Sequence, residues 1–148
     1  MIQSLRKSWL LTTLLLVATM VLPASVWAQS VVTEQPAAGT GSSADPYRIA
    51  NAAQLAWFRD WVNGTYTPAD SETATKHENA CAKLIADIDM STVCSESIGS
   101  WQFISPFQDG VRWSGTFDGD GHTISNLYIN STARFTGMFG CSSSGIIQ

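Results

Sequence analysis

The sequence lacks the spaced motifs that mark most metal sites and hydrolase active sites. Its three cysteines and two histidines form no Cys-x-x-Cys, His-x-x-x-His or His-Glu-x-x-His segment, so zinc has no recognisable ligand set. No Gly-x-Ser-x-Gly segment is present, which excludes the usual serine nucleophile elbow. We therefore expect no metal, no cofactor and no catalytic residue.

Basic residues are also scarce. Beyond residue 28 the chain carries 6 Lys+Arg against 12 Asp+Glu, a net charge of −6, and the basic residues form no cluster. Such a chain repels the phosphate backbones of DNA and RNA. We therefore expect no nucleic-acid partner.

The sequence has one long apolar run, which lies near the N-terminus. Residues 9–22 are apolar apart from three threonines, two basic residues precede them, and Pro23 follows. With Ala28 at the cleavage position, this layout predicts a secretory signal peptide over residues 1–28, leaving Gln29 first. A membrane anchor is the alternative, but this run falls well short of the roughly 20 residues that span a bilayer. We expect a secreted or cell-surface protein with no membrane span after cleavage.

The remaining chain divides into a leader and one small domain. Residues 29–44 are rich in Ala, Gly, Ser and Thr and predict a flexible leader, so that order begins with the domain at 45–148. Apolar residues at helical spacing predict an amphipathic helix over residues 52–62. Asn51 is its expected N-cap and Gly64 its expected stop.

The second half of the domain has the pattern of short strands. Residues 83–90 alternate as one strand would, and from residue 111 onward glycines break the pattern. An aromatic, a glycine, an aromatic and an aliphatic residue recur at one fixed offset, as Trp113, Gly115, Phe117 and Ile124 and then as Phe135, Gly137, Phe139 and Ile146. This aromatic–glycine repeat favours a mainly β protein, the start of a right-handed parallel β-solenoid with the helix as its N-terminal cap. Two successive hairpins are the alternative.

The densest cluster of ionisable side chains is Asp118-Gly119-Asp120-Gly121-His122. Calcium is one interpretation, but the sixth and twelfth positions of an EF-hand loop are Thr123 and Ile129 here, instead of Gly and Glu. Repeated Asp-Gly pairs are typical of tight turns with positive φ. We predict a structural turn at Asp118, Gly119, Asp120 and Gly121.

Asp87 and Asp89 lie two residues apart, so on a strand both carboxylates point to one face. Paired carboxylates can hydrolyse glycosides, but we favour their capping neighbouring turns through backbone N–H groups. Trp101 and Trp113 have the chemistry of a sugar-stacking platform, and for both we favour core packing.

Export permits disulfides, and three cysteines leave at least one thiol unpaired. Cys81 and Cys94 form the possible disulfide, which would close a short loop. Cys141 stands among small residues and predicts a small buried side chain.

Four segments carry a recognisable pattern: Gly39-x-Gly41 through Asp45-Pro46-Tyr47-x-Ile49 with Leu55 to Asn63, Leu84-Ile85-Ala86-Asp87-Ile88-Asp89-Met90-Ser91, Phe117-Asp118-Gly119-Asp120-Gly121-His122-Thr123-Ile124-Ser125-Asn126-Leu127, and Gly137-Met138-Phe139-Gly140 followed by Gly145-Ile146-Ile147. They resemble bacterial secreted and surface β-solenoid proteins, the adhesin-like and immunoglobulin A1-protease-like group with GLUG-type repeats. The resemblance covers residues 39–148 and departs from the family pattern at residues 101–105. It implies a scaffold and not an activity, because the protease members carry their zinc segment in a separate domain.

We therefore expect a non-catalytic structural or adhesive module of a secreted or cell-surface bacterial protein. Its expected partner is an extracellular protein or a carbohydrate ligand. A polysaccharide-lyase-like enzyme fragment is the alternative, although only Arg112 and Arg134 lie near the expected coils. Because two coils are too few for a stable solenoid, we also expect truncation after Gln148, and association through an open strand edge or an unpaired thiol.

Overall fold

The computed structural model describes residues 31–71, 73–105 and 112–148. The predicted signal peptide, residues 1–28, lies outside the described residues. Within them the chain forms one α-helix, one short 3₁₀ helix and six short strands in two parallel sheets.

The helix α1, Ala52–Asn63, confirms the predicted helix and its two predicted caps, and it ends one residue later than predicted. Asn51 has extended backbone angles, and its side-chain oxygen accepts the backbone N–H of Gln54 at 2.9 Å. Gly64 follows with φ 67°, and its N–H bonds to carbonyls of the last turn. This left-handed conformation costs other residues about 1–2 kcal/mol, which explains glycine at the helix end.

The larger sheet has four parallel strands in the order β1 (Tyr47–Ile49), β2 (Ala82–Leu84), β4 (Thr116–Asp118) and β6 (Ile146–Ile147). The smaller sheet pairs β3 (Ile88–Asp89) with β5 (Ile124–Ser125), also in parallel, and the 3₁₀ helix Met90–Thr92 follows β3. Tyr47 pairs with Ala82, and Ala82 with Phe117. Each strand therefore pairs with a segment that lies far along the sequence.

The core lies where α1 packs against the larger sheet. Phe58 of the helix meets Phe117 of β4 with ring centroids 6.2 Å apart, and Tyr47 of β1 meets Trp57 edge-on at 5.1 Å. Burying each such side chain contributes about 1.5–3 kcal/mol. Trp101 and Trp113 are also fully buried, which confirms core packing over a sugar platform for this pair.

The predicted fold class is wrong. Among the described residues, strands of two or three residues form a four-stranded and a two-stranded parallel sheet beside one short helix, and they do not close into solenoid coils. The strands have only two or three residues each, and after β2 and β4 the chain turns at residues 85–87 and 119–123 into the smaller sheet. The fold is a small parallel sheet arrangement with a packed helix.

The register implied by the aromatic–glycine repeat is also wrong. Ile146 pairs with Thr116 of β4, and not with Ile124, its predicted counterpart. Trp113 stacks on Phe139 at 5.0 Å, while Phe135, which the repeat places opposite Trp113, is exposed. The repeat reflects a similarity of residue types only. The hydrogen-bonded strands pair at a longer sequence spacing than the offset of the repeat.

The single strand predicted over residues 83–90 is two strands. β2 ends at Leu84, Ile85 is exposed, and β3 begins at Ile88 in the other sheet. The Ile85 N–H donates to the Ile49 carbonyl at 2.9 Å, which holds the chain against β1 as it turns. The alternation of side chains in the sequence continues through residues 85–87. It therefore did not reveal that the chain turns there.

The described part of the predicted leader makes specific contacts with the domain. The Glu34 carboxylate accepts from the side chains of Asn51 and Gln54 at 3.3 and 3.0 Å. The Gly41 carbonyl accepts the Cys81 N–H at 2.8 Å. Residues 31–44 form no helix or strand of their own.

Candidate functional site

A tight turn joins β4 to β5. The His122 N–H donates to the Gly119 carbonyl at 2.8 Å, and the central residues Asp120 and Gly121 have φ of 47° and 79°. Two positive φ values identify a type I′ geometry. The Asp118 Oδ1 accepts the Asp120 N–H at 2.9 Å, so this carboxylate stabilises the turn. The four residues predicted as a structural turn therefore all lie within this turn or at its edge.

Asp87 lies against this turn, at the bend between β2 and β3. Its Oδ1 accepts the Thr123 N–H at 2.9 Å and lies 3.3 Å from His122 Nδ1. The Thr123 N–H bond, and then the His122 contact, lower the pKa of the Asp87 carboxyl. The carboxylate is therefore ionised at neutral pH and holds the turn to β3.

Asp89 has a similar role one step further along. Its Oδ1 accepts the Asn126 amide at 2.9 Å and the Ser91 N–H at 3.0 Å, and these bonds lower the pKa of its carboxyl. Asn126 has φ 55°, a left-handed conformation that asparagine tolerates better than most residues. These bonds confirm that Asp87 and Asp89 cap turns through backbone N–H groups.

Lys83 completes this charged surface, which we call the corner site: Lys83, Asp87, Asp89 and residues 118–126. Its Nζ lies 3.1 Å from Asp120 Oδ2 and 3.7 Å from Asp118 Oδ2. The Asp120 carboxylate raises the pKa of Lys83. Among the described residues, no group of three or more His, Cys, Asp and Glu side chains is arranged to hold a metal ion.

The structure does not join Cys81 to Cys94; both are buried free thiols. Cys81 Sγ accepts the Thr116 N–H at 3.3 Å, and Cys94 Sγ accepts the Tyr128 N–H at 3.3 Å. Each sulfur thus bonds to a different later segment. Cys141 is a half-buried free thiol.

A groove of about 540 Å³ lies on another part of the surface. It is bordered by residues 40–43, Tyr47, Trp61, His77, and the segments 79–81 and 114–116. We call it the neutral groove, because these lining residues include no Lys, Arg, Asp or Glu. The sequence gives no signal for this groove, since small polar residues from three separate segments form no motif.

Three nearly parallel rings lead from the core to this groove. Trp57 stacks on Trp61 with centroids 5.3 Å apart, and Trp61 stacks on His77 at 3.6 Å. Trp57 is buried, whereas Trp61 and His77 are half-buried. Burial lowers the pKa of His77, so its imidazole is neutral at pH 7. The only sequence signal for this stack is the helical spacing of its two tryptophans.

No helix among residues 31–71, 73–105 and 112–148 is both long and apolar enough to cross a membrane. No family model matches the chain, and no solved structure matches it. The chain is 34% identical over 107 residues to Halomucin of Haloquadratum walsbyi, a match that covers 69% of this chain. The chain spans only 1% of Halomucin's length. The resemblance to adhesin-like bacterial proteins stays a prediction.

Proposed function

We propose that the chain is a non-catalytic structural or adhesive module of a secreted or cell-surface protein. One observation carries the proposal: Asp87 and Asp89, the carboxylates best suited to acid–base chemistry, are engaged in hydrogen bonds that hold β3 to the segment around β5. Their lowered pKa values suit permanent acceptors better than groups that exchange protons near neutral pH.

The similarity to Halomucin, whose name is that of a mucin, indicates a surface or extracellular protein. It supports the location in this coarse form. The finer terms of the proposal are an adhesin-like protein with GLUG-type repeats, exported through a signal peptide that is cleaved after Ala28. They rest on the segments 84–91, 117–127 and 137–140 and on the apolar run at residues 9–22.

Export is tested by expressing the full chain in a bacterial host and sequencing the N-terminus of the protein recovered outside the cytoplasm. We expect a mature chain that begins at Gln29. An Ala28→Arg variant should keep its N-terminal segment, because signal peptidases require a small residue before the cut. Wild-type protein retained with residues 1–28 intact in the membrane fraction argues for an anchor.

The absence of catalysis is tested on acidic polysaccharides, the substrates of the alternative lyase. The secreted chain is incubated with polygalacturonate and alginate, with and without calcium, and unsaturated products are followed by ultraviolet absorbance. We expect no product above a blank. Product formation that disappears in an Asp87→Ala variant of unchanged circular dichroism would establish an enzyme and reject the module.

A further inference from the structure

The neutral groove has the size and wall chemistry of a small-molecule site. Its volume of about 540 Å³ falls within the range of about 300–1,000 Å³ that ligand pockets occupy. Its exposed polar groups are the hydroxyls of Thr40, Ser42, Ser43 and Ser114 and the side-chain amide of Asn79. Hydroxyl and amide groups both donate and accept hydrogen bonds, so they match a ligand rich in hydroxyl groups.

The charge of the groove contrasts with that of the whole chain. The sequence has 12 Asp+Glu and a net charge of −4, yet the described groove walls carry no Lys, Arg, Asp or Glu side chain. An anionic ligand would meet no lysine or arginine there, and a cation would meet no carboxylate. The walls therefore favour an uncharged ligand.

An aromatic surface forms one side of the groove. His77 is the outer ring of the stack with Trp61 and Trp57, at an interplanar angle of 6° to Trp61. The His77 Nε2 lies 3.1 Å from Thr75 Oγ1, and the inner face of Trp61 packs on the buried Trp57. The rings are therefore held in one orientation before any ligand arrives. Aromatic faces are electron-rich and attract the weakly positive C–H groups on the flat side of a sugar ring.

We propose that the neutral groove binds one uncharged pyranose unit of a glycan, with its hydroxyls on Ser42, Asn79 and Ser114 and its C–H face toward His77, the outer ring of the stack. The proposal rests on the adhesive function above and adds to it a site and a ligand class. A polar groove lined by one aromatic stack accommodates a single ring, so we expect weak affinity for each unit and stronger binding by repeated units.

The test measures binding of the full secreted chain to neutral oligomers of glucose, mannose, galactose and N-acetylglucosamine, by calorimetry and by tryptophan fluorescence. We expect at least one neutral oligomer to bind and to change the fluorescence, because Trp61 belongs to the stack. Polygalacturonate serves as the anionic comparison, and we expect it to bind at least about tenfold more weakly.

Two variants locate the binding site. Asn79→Ala removes one hydrogen-bonding group, and Ser114→Arg places a bulky charge in the groove, so each should weaken binding about tenfold or more. Ser144→Arg makes the same change at an exposed serine outside the groove and should leave affinity unchanged. If Ser114→Arg fails to fold by circular dichroism, Asn79→Ala still decides the matter.

Three results would overturn the proposal: no neutral oligomer binds at millimolar concentration, only the uronate polymer binds, or binding survives both groove variants. Each of these leaves the non-catalytic module standing, since that depends on export and on the lack of turnover. Conversely, a neutral oligomer that binds in the groove and is cleaved supports the site and rejects the non-catalytic function.

Discussion

At the scale of single residues, side-chain acceptors bond to backbone groups that lie far along the chain. Cys81 accepts from Thr116, Asp87 from Thr123 and Cys94 from Tyr128, at separations of 35, 36 and 34 residues. These separations match the spacing of the paired strands. The two aspartates, spaced two residues apart, were predicted to cap turns, but no sequence pattern indicated that buried thiols would act in the same way.

Asp87 and Asp89 predict an acid-dependent loss of stability. Their folded pKa values lie below the unfolded value of about 3.9, so both carboxylates stabilise the fold above about pH 4. That stability is lost as the pH falls through the folded pKa values. In urea unfolding experiments, the double variant with Asp87→Asn and Asp89→Asn should lose less free energy of unfolding between pH 6 and pH 3 than the wild type does.

The matched control for this prediction is Asp70→Asn, at an exposed aspartate in the loop between α1 and β2. It should leave the pH dependence as in the wild type. An unchanged acid slope in the double variant would show that the corner carboxylates do not couple protonation to folding.

At the scale of elements, the helix was predictable and the strands were not. α1 is specified locally, because Asn51, Gly64 and the apolar stripe all lie within one short segment. Each strand has only two or three residues and gains its stability from a partner in a distant segment. A pattern within one segment cannot encode which distant segment will pair with it, so the aromatic–glycine repeat gave a wrong register.

The N-cap of α1 provides a quantitative prediction. Asn51→Ala removes the acceptor for the Gln54 N–H and should lower the free energy of unfolding by about 1 kcal/mol. Asn51→Ser keeps an uncharged acceptor at this position and should cost only a few tenths of that amount, roughly within the error of urea denaturation. Equal stability of Asn51→Ala and wild type would mean that the cap contributes nothing.

At the scale of the whole molecule, the sheet has one apolar edge. Ile146 and Ile147 of β6 are 54% and 59% exposed, and β6 pairs only with β4 among the described strands. Exposed apolar edge strands promote pairing with other chains. The sequence pattern predicted an open strand edge here but assigned β6 the wrong partner. The neutral groove could not be predicted from the sequence, because its walls come from segments that meet only in the folded chain.

Self-association should follow from this edge. We expect the purified chain to form reversible oligomers in analytical ultracentrifugation under reducing conditions, where thiol cross-links do not contribute. Ile147→Lys should shift the distribution toward monomer, because an edge lysine opposes strand addition. Val32→Lys changes another exposed aliphatic residue outside the sheet and should have no such effect. A wild-type chain that stays monomeric at high concentration contradicts the prediction.

The spacing of the paired strands also sets an order of assembly for a chain made from its N-terminus. β1 has no strand partner until residues 82–84 emerge, and β2 gains its second partner only when residues 116–118 do. Synthesis at about 5–20 residues per second separates these events by roughly 2–7 s, far longer than a helix needs to form. During each interval the nascent chain therefore has α1 and one strand edge without a partner. The next segment to be synthesised contains the strand that pairs with that edge.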